Sequence, residues 1–363
     1  MRQGLQVDHL SVTSGDKTLV ADLCFDVSPS EMVVLVGPSG AGKSSLLRAL
    51  CGLAKAAAGT IYVNGTDVTS LSPQKRQMGL LLSDPGLLPH LTVAENIALP
   101  APKATERVET SLATLGLTSL RERHPDSLSA GEKQKVALAR LLVARPQILL
   151  FDEPLAHMDT VSAARMRTEI LRVHRHLGAA SIFVTHSAVE AMQMGDRIIY
   201  LEGGSILQDD LPEEVFESPN TLEIAKHLGA KVLLYATVHM CPSGGDLLAS
   251  TAVLGQRVQV PAHPALTDGR AVLVGHPNCI TLTPARAQRV HIKEEVGQII
   301  STSYLGGAYL CEVETEQGRI SVEVPADGPV PAPADAVRMK INADLMWGVK
   351  GQKVCPESRI FTD

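Results

Sequence analysis

Gly37-Pro38-Ser39-Gly40-Ala41-Gly42-Lys43-Ser44 sets three glycines ahead of a lysine and a hydroxyl. Glycine tolerates positive φ and leaves the backbone N–H groups bare, so such a loop can wrap an anion. Lys43 can reach the β- and γ-phosphates of a nucleoside triphosphate, and the Ser44 hydroxyl suits Mg²⁺. The binding set therefore runs over Gly37, Pro38, Ser39, Gly40, Ala41, Gly42, Lys43, Ser44 and the adjoining Ser45. A second element supplies carboxylates: Gln147-Ile148-Leu149-Leu150-Phe151 leads into Asp152 and Glu153. Asp152 is placed to hold the Mg²⁺ shell, directly or through water, and Glu153 to polarise an attacking water as general base. His186, closing the run Ser181-Ile182-Phe183-Val184-Thr185, is a third polar group at the end of an apolar segment. Alone, each of these signals has a plain structural reading as a turn, a solvated strand end or a packed histidine. Together they point to triphosphate hydrolysis.

The flanking pattern is what such groups need. Met32-Val33-Val34-Leu35-Val36 reads as a buried strand, and Leu46, Leu47 and Leu50 recur at helical spacing after the loop. Strand, glycine loop and helix together aim a helix N-terminus, with roughly half a positive charge, at a phosphate. In an α/β sheet, ligands gather at the carboxyl ends of parallel strands, which is where Asp152, Glu153 and His186 fall.

Leu128-Ser129-Ala130-Gly131-Glu132 precedes the acidic pair and is followed by a basic stretch from Lys133 to Arg140. Ser129 and Glu132 make an S-x-x-E capping box, so the segment also reads as a plain helix start. With the glycine loop and the acidic strand in this order, it resembles the signature of the ABC-transporter ATPases, Leu-Ser-Gly-Gly-Gln. Leu155-Ala156-His157-Met158-Asp159 resembles their D-loop, and Val184-Thr185-His186-Ser187 their switch histidine. The resemblance covers roughly residues 5 to 230. It implies a P-loop NTPase fold, a RecA-like core with a helical subdomain over about 91–145, and ATP with Mg²⁺ as cofactors. It also implies a sandwich dimer in which Ser129, Gly131 and Asp159 meet the nucleotide held by the other chain, with His186 contacting the γ-phosphate.

Beyond Lys231 the pattern turns to short alternating runs broken by glycine and proline. Ile320, Val322 and Val324, then Val337, Met339 and Ile341, alternate with polar neighbours as half-buried strands do. Ala271 to Pro277 and Gly297 to Gly306 resemble the OB-like TOBE tail of ABC-importer ATPases, with His276-Pro277-Asn278 where the family often has Arg-Pro-Glu. The expected fold class is α/β, with the nucleotide domain over 1–230 and a small all-β OB-like domain over 231–363. Pro329 to Pro333 reads as a loop.

With 363 residues and a net charge of −6, the chain can build two cores and lacks the basic excess of a nucleic-acid binder. Neither an N-terminal signal region nor a run near the roughly 18 apolar residues of a membrane span occurs. A peripheral place at the cytoplasmic face of the cell membrane is expected. The cysteines at 24, 51, 241, 279, 311 and 355 have no paired zinc spacing and read as reduced thiols. His174 and His176 lie two apart on a helical pattern, Val161 to Leu177, and point in different directions.

Three departures from the family bear on activity. Ser14 occupies the position of the adenine-stacking aromatic. Ser83 takes the place of the Q-loop glutamine, with Asp84 beside it, and as a metal ligand it would need a water to reach Mg²⁺. Glu132 replaces the signature glutamine. The preferred reading is the ATP-hydrolysing subunit of an ABC importer, a homodimer beneath membrane permease subunits, served indirectly by a solute-binding protein. The alternatives are a slow regulatory or degenerate subunit, and a soluble ABC ATPase acting on nucleic acid or ribosomes, which the acidic charge and single ATPase half disfavour.

Overall fold

In a computed structural model, residues 3–243, 246–254, 256–285 and 296–350 are described. The readings at Met1, Arg2 and Cys355 lie outside them. The chain divides into two compact units, Met1–Pro212 and Glu213–Asp363.

The first unit is built on a six-stranded sheet. Its order is Ser205–Asp210, Arg197–Glu202, Met32–Val36, Ala180–Val184, Ile148–Asp152 and Met78–Leu82. All neighbours are parallel except the outer hairpin of Arg197–Glu202 and Ser205–Asp210. Met32–Val36, Ile148–Asp152 and Ala180–Val184 are buried at every position, as continuous Val/Ile/Leu runs must be when both faces of a parallel sheet are covered. The register pairs Leu82 with Asp152, Asp152 with Val184, and Val184 with Leu35. Four strands therefore deliver the glycine loop, the acidic pair, the histidine segment and Ser83 to one edge.

A four-stranded antiparallel sheet, ordered Lys17–Val27, Leu5–Ser14, Ala56–Val63 and Thr66–Asp67, shares a core with the helix Lys43–Leu50. Leu46, Leu47 and Leu50 of that helix are buried with Val7, Val20 and Ile61. Arg76, itself buried, donates to the carbonyls of Ala49 and Leu50 at 2.7 Å each. A cation there satisfies the helix's C-terminal carbonyls and its dipole. Between the two nucleotide motifs the chain is helical, with helices at Val93–Ala98, Thr105–Thr114 and Ala130–Ala144. The helix Thr160–Leu177 buries the stripe Ala163, Met166, Ile170 and Val173. His174 is buried on it too, its ring held by Ser181 Oγ at 2.7 Å and the Ser30 carbonyl at 3.2 Å.

The second unit opens with two short helices, Pro212–Glu217 and Leu222–His227, and continues as two five-stranded antiparallel sheets. One runs Gln256–Pro261, Asp246–Val253, Val232–Ser243, Gly269–Gly275 and Met346–Lys350. The other runs Ile280–Pro284, Ala336–Ile341, Val296–Tyr304, Ala308–Thr315 and Gly318–Pro325. The alternating residues Ile320, Val322, Val324, Val337, Met339 and Ile341 all enter their shared core. This unit starts earlier than the expected 230/231 boundary, because Leu222, Ala225 and Ala230 form a cluster with Val272, Val274 and Val349 of the β strands. Among the described residues no helix is long and apolar enough to cross a membrane.

Candidate functional site

The glycine loop owes its path to missing side chains. Gly37 has φ 147°, and a Cβ there would stand 1.9 Å from the Leu201 carbonyl oxygen. Gly42, at φ 103°, caps the helix Lys43–Leu50, and a Cβ on it would meet the Leu19 oxygen at 2.4 Å. Any other residue must break one of these approaches or take up a strained backbone.

Within this loop the Lys43 ammonium is buried and donates to the Gly37 carbonyl at 2.7 Å and the Pro38 carbonyl at 2.9 Å. Burial lowers its pKa, and the negative charges of Glu153 and Asp152 pull it back up. Ser44 Oγ donates to Asp152 Oδ1 at 2.9 Å. Burial raises the Asp152 pKa, against the lowering effect of that hydrogen bond. Two hard oxygens thus meet at the start of a helix, a donor set that suits Mg²⁺ better than a soft metal.

Next to Asp152, Glu153 adopts φ 48°, an unusual left-handed conformation for a residue other than glycine. Such strain costs on the order of 1 to 3 kcal/mol and persists only where the surroundings enforce it. Here the Glu153 N–H donates to the Val184 carbonyl at 3.1 Å. The Glu153 side chain is 36% exposed, and His186 Nδ1 lies 3.4 Å from Glu153 Oε2. Thr185, ahead of His186, is buried, and its hydroxyl donates to Glu190 and accepts from the Ser187 N–H, fixing the segment that carries the imidazole.

Lys43, Ser44, Asp152, Glu153 and His186 are therefore brought together. Ser129, Asp159 and Ser83 stand in different settings. Ser129 caps the helix Ala130–Ala144, accepting from the Glu132 N–H at 3.3 Å, while Glu132 Oε2 takes the Ser129 N–H and hydroxyl, each at 2.8 Å. Those bonds hold the Glu132 carboxyl below its ordinary range. A Cβ added at Gly131 would meet nothing within 4 Å, so its first-turn backbone is open. Asp159 caps Thr160–Leu177 through the N–H groups of Val161 and Ser162, 3.0 Å each, and its pKa is likewise lowered. Ser83 is exposed one residue beyond the register partner of Asp152. Asp84 accepts from Gly86 N–H in a local turn. Ser14 is exposed where the strand Leu5–Ser14 turns into its hairpin partner.

Sequence reasoning missed the residues that hold the Ser83 segment. Gln134 is buried, and its Nε2 donates to the carbonyls of Leu82 at 2.9 Å and Ser83 at 2.8 Å. Arg140 donates to the carbonyls of Pro85, Gly86 and Asn96, and the buried Asn96 ties Leu88, Leu91 and Thr92 together. The signature helix thus grips the backbone from 82 to 92. One signal was available: Gln134 sits on the apolar stripe with Ala137, Leu138 and Leu141, where an amide must have a buried partner.

Comparison with known proteins identifies the family. The family model described as ABC transporter matches residues 20–156. The chain is 36% identical over 320 residues to the Fe(3+) ions import ATP-binding protein FbpC 1 of Rhizobium meliloti, covering 86% of this chain and 88% of that protein. It is also 36% identical over 275 residues to the sulfoquinovosyl glycerol transport ATP-binding protein SmoE of Agrobacterium fabrum, covering 73% and 76%. Among solved structures, a dimeric ATP-binding cassette in a post-hydrolysis state with ADP and Pi matches with TM-score 0.52 and 25% identity over 57% of this chain and 98% of that one. CbiO1 from Clostridium perfringens, part of an ABC transporter complex, matches in fold with TM-score 0.55 and 23% identity, over 59% and 91%. A glycine loop closing on Lys43, an acid and hydroxyl in contact at its base, and relatives matched over most of their length lead to one assignment: the chain belongs to the ATP-binding proteins of ABC transporters.

Proposed function

We propose that this chain is the ATP-hydrolysing subunit of an ABC importer, working as a homodimer on the cytoplasmic face of the cell membrane. The observation that carries the reading is the Ser44–Asp152 contact beside the strained Glu153, all at the mouth of the glycine loop. In this reading the backbone N–H groups of Gly40, Ala41, Gly42 and Lys43 cradle the phosphates, with Pro38, Ser39 and Ser45 bordering them, and Lys43 turns from the loop carbonyls toward the β- and γ-phosphates. Ser44 and Asp152 would hold Mg²⁺, with Ser83 reaching it through water, and the ion would supply positive charge against the phosphates. Glu153 accepts the proton of the attacking water. His186 donates to the γ-phosphate and is kept near Glu153 by the Thr185 to Glu190 segment. Ser129, Gly131 and Asp159 face the nucleotide of the opposite protomer, so ATP closes the dimer and hydrolysis releases it.

The surface from Ser83 to Asn96 receives the permease, and a solute-binding protein acts through that permease. The β unit adds dimer contacts or senses a ligand. Nucleic acid has no role in this reading, given the net charge of −6. The cargo is not fixed by the ATPase itself: two relatives of equal identity are named for ferric iron and for sulfoquinovosyl glycerol. Purified chain, its permease and the solute-binding protein in liposomes test the reading. ATP-dependent uptake stimulated by loaded binding protein is expected. Turnover that ignores the permease, or that survives Lys43→Ala unchanged, would sink it.

A further inference from the structure

Arg76 carries a charge into the interior of the first unit, just ahead of the strand Met78–Leu82. Its Nη1 donates to the carbonyls of Ala49 and Leu50 at 2.7 Å each, its Nη2 to Thr69 at 2.6 Å and its Nε to Leu71 at 3.0 Å. All are main-chain acceptors, from the C-terminal end of the helix Lys43–Leu50 and from residues 69–71. Burial works against the charge and lowers the Arg76 pKa, so carbonyl dipoles must replace the water it has lost. Gly52 makes the room: it has φ 80°, and a Cβ there would stand 2.7 Å from Nε and 2.9 Å from the central guanidinium carbon. The main chain beside Arg76 is anchored as well. Gln77 accepts at its carbonyl from the Gln147 N–H at 2.9 Å, and the strands that follow run in parallel register from Met78 with Ile148 to Leu82 with Asp152.

The helix that Arg76 grips is short. Its eight residues span about 12 Å, and a helix of that length is marginal on its own. The aim of its N-terminal N–H groups therefore depends on what fixes its other end. At the loop end, Ser44 meets Asp152, a contact that a metal-bound nucleotide must rearrange. At the far end the tie is Arg76. Resting on the reading of the glycine loop as the triphosphate site, we propose that Arg76 is a positioning residue for the triphosphate. By clamping the C-terminal carbonyls of this helix to the anchored start of Met78–Leu82, it keeps Lys43 and the loop N–H groups aimed at the phosphates. The role requires arginine, because a lysine ammonium has no planar fork with which to span the carbonyls of Ala49, Leu50, Thr69 and Leu71.

Inorganic tripolyphosphate probes the loop without base or ribose. Calorimetry on the full chain, well below the melting temperature of each variant, is set beside steady-state ATPase kinetics. Arg76→Lys is expected to weaken tripolyphosphate about tenfold and to raise the KM for ATP by a similar factor, with kcat changed less than about twofold, as for lost uniform binding. Ile170→Ala, a buried deletion in the helix Thr160–Leu177, lowers the melting temperature without touching the clamp and should leave tripolyphosphate affinity unchanged. Gly52→Ala, which drives the guanidinium aside while Arg76 stays in the sequence, should reproduce the Arg76→Lys loss. Wild-type affinity in a folded Arg76→Lys chain overturns the proposal, and so does an Ile170→Ala chain that loses as much affinity at a matched melting temperature. If Arg76→Lys does not fold, Gly52→Ala decides by the same measure. If neither folds, hydrogen exchange in the wild-type chain decides: tripolyphosphate should slow the Cys51 and Gly52 amides at the far end of the helix, and unchanged rates there overturn the clamp. A wild-type chain that binds neither tripolyphosphate nor ATP overturns the triphosphate reading along with it.

Discussion

Asp152 and Glu132 are both carboxylates of the nucleotide unit, yet the fold moves their protonation in opposite directions. Asp152 ends a strand buried on both faces, and desolvation raises its pKa despite the Ser44 hydrogen bond. Glu132 lies in the first turn of a helix, where the Ser129 N–H and hydroxyl lower it. Asp159 follows Glu132, lowered by its own helix-cap N–H groups. The difference separates two kinds of acid. At the strand edge desolvation outweighs the Ser44 hydrogen bond, a penalty that the proposed metal cation would relieve. At the helix starts the charge is already satisfied by backbone donors, so these motifs stand preformed without nucleotide.

The comparison is broken most severely at Glu153, the strand-edge acid with the strained backbone. Glu153→Gln keeps the shape and removes the proposed base, so turnover should fall by roughly 100- to 10,000-fold while ATP binding stays intact. Single-turnover hydrolysis alongside nucleotide calorimetry checks both halves. Hydrolysis at the wild-type rate would remove Glu153 from the chemistry.

The pH dependence sharpens the same contrast. A carboxyl whose folded pKa is raised favours the folded state when protonated, and that contribution is lost as pH climbs from the unfolded value, about 3.9, through the raised one. A cation at Asp152 reverses the penalty. Thermal stabilisation by Mg²⁺ with ATP should therefore fade on acidification within a window above the ordinary carboxylate range, and Asp152→Asn should flatten the curve. Glu132 runs the other way: its depressed pKa gives stability above about 4.3, lost as pH falls through the folded value. A Mg²⁺ effect that persists unchanged until pH drops below 4 or so would mean that Asp152 is an ordinary acid.

How far these regions could be read from the chain follows the same division. Met32–Val36, Ile148–Asp152 and Ala180–Val184 were legible because double burial writes itself as unbroken apolar runs, and the Ser129 and Glu132 box because its partners are three residues apart. Ala56–Val63 was not: Ala56, Ala57, Ala58 and Gly59 carry no strand propensity and pair only because Leu5–Ser14 lies beside them, with register shifts. The helix Leu222–His227 falls before the expected domain boundary because its partners, Val272 and Val274, come much later in the chain. The Glu153–His186 approach was implied by two strand ends. The grip of Gln134 and Arg140 on the 82–92 backbone could not be foreseen from spacing alone, since its acceptors are carbonyls of an irregular segment.

Ser129 tests whether a preformed cap is only a cap. Ser129→Ala should lower stability by about 1 kcal/mol, the usual worth of an N-cap side chain, measured by denaturant unfolding. Asp is an equally good cap, so Ser129→Asp should restore that stability. If the segment also faces a triphosphate across a dimer, the added negative charge should still cut turnover about tenfold at unchanged stability. Activity that simply tracks stability through both variants would confine Ser129 to its own helix.

The smallest effect is expected at Ser83, where the two regions meet. Its carbonyl is held by Gln134 of the signature helix, while its side chain is exposed just past the register partner of Asp152. The backbone link is therefore intact and only the reach of the side chain is short. Ser83→Gln restores an amide long enough to approach the metal shell without disturbing the Gln134 bonds, which use main-chain oxygens. Basal ATPase activity should rise several-fold. Asp84→Ala should change little, because Asp84 accepts from Gly86 N–H in a local turn. Colorimetric phosphate release at saturating Mg²⁺ and ATP distinguishes the outcomes. If Ser83→Gln slows turnover and Asp84→Ala abolishes it, the strand edge has been rebuilt around Asp84, and the acids of this site divide along a different line.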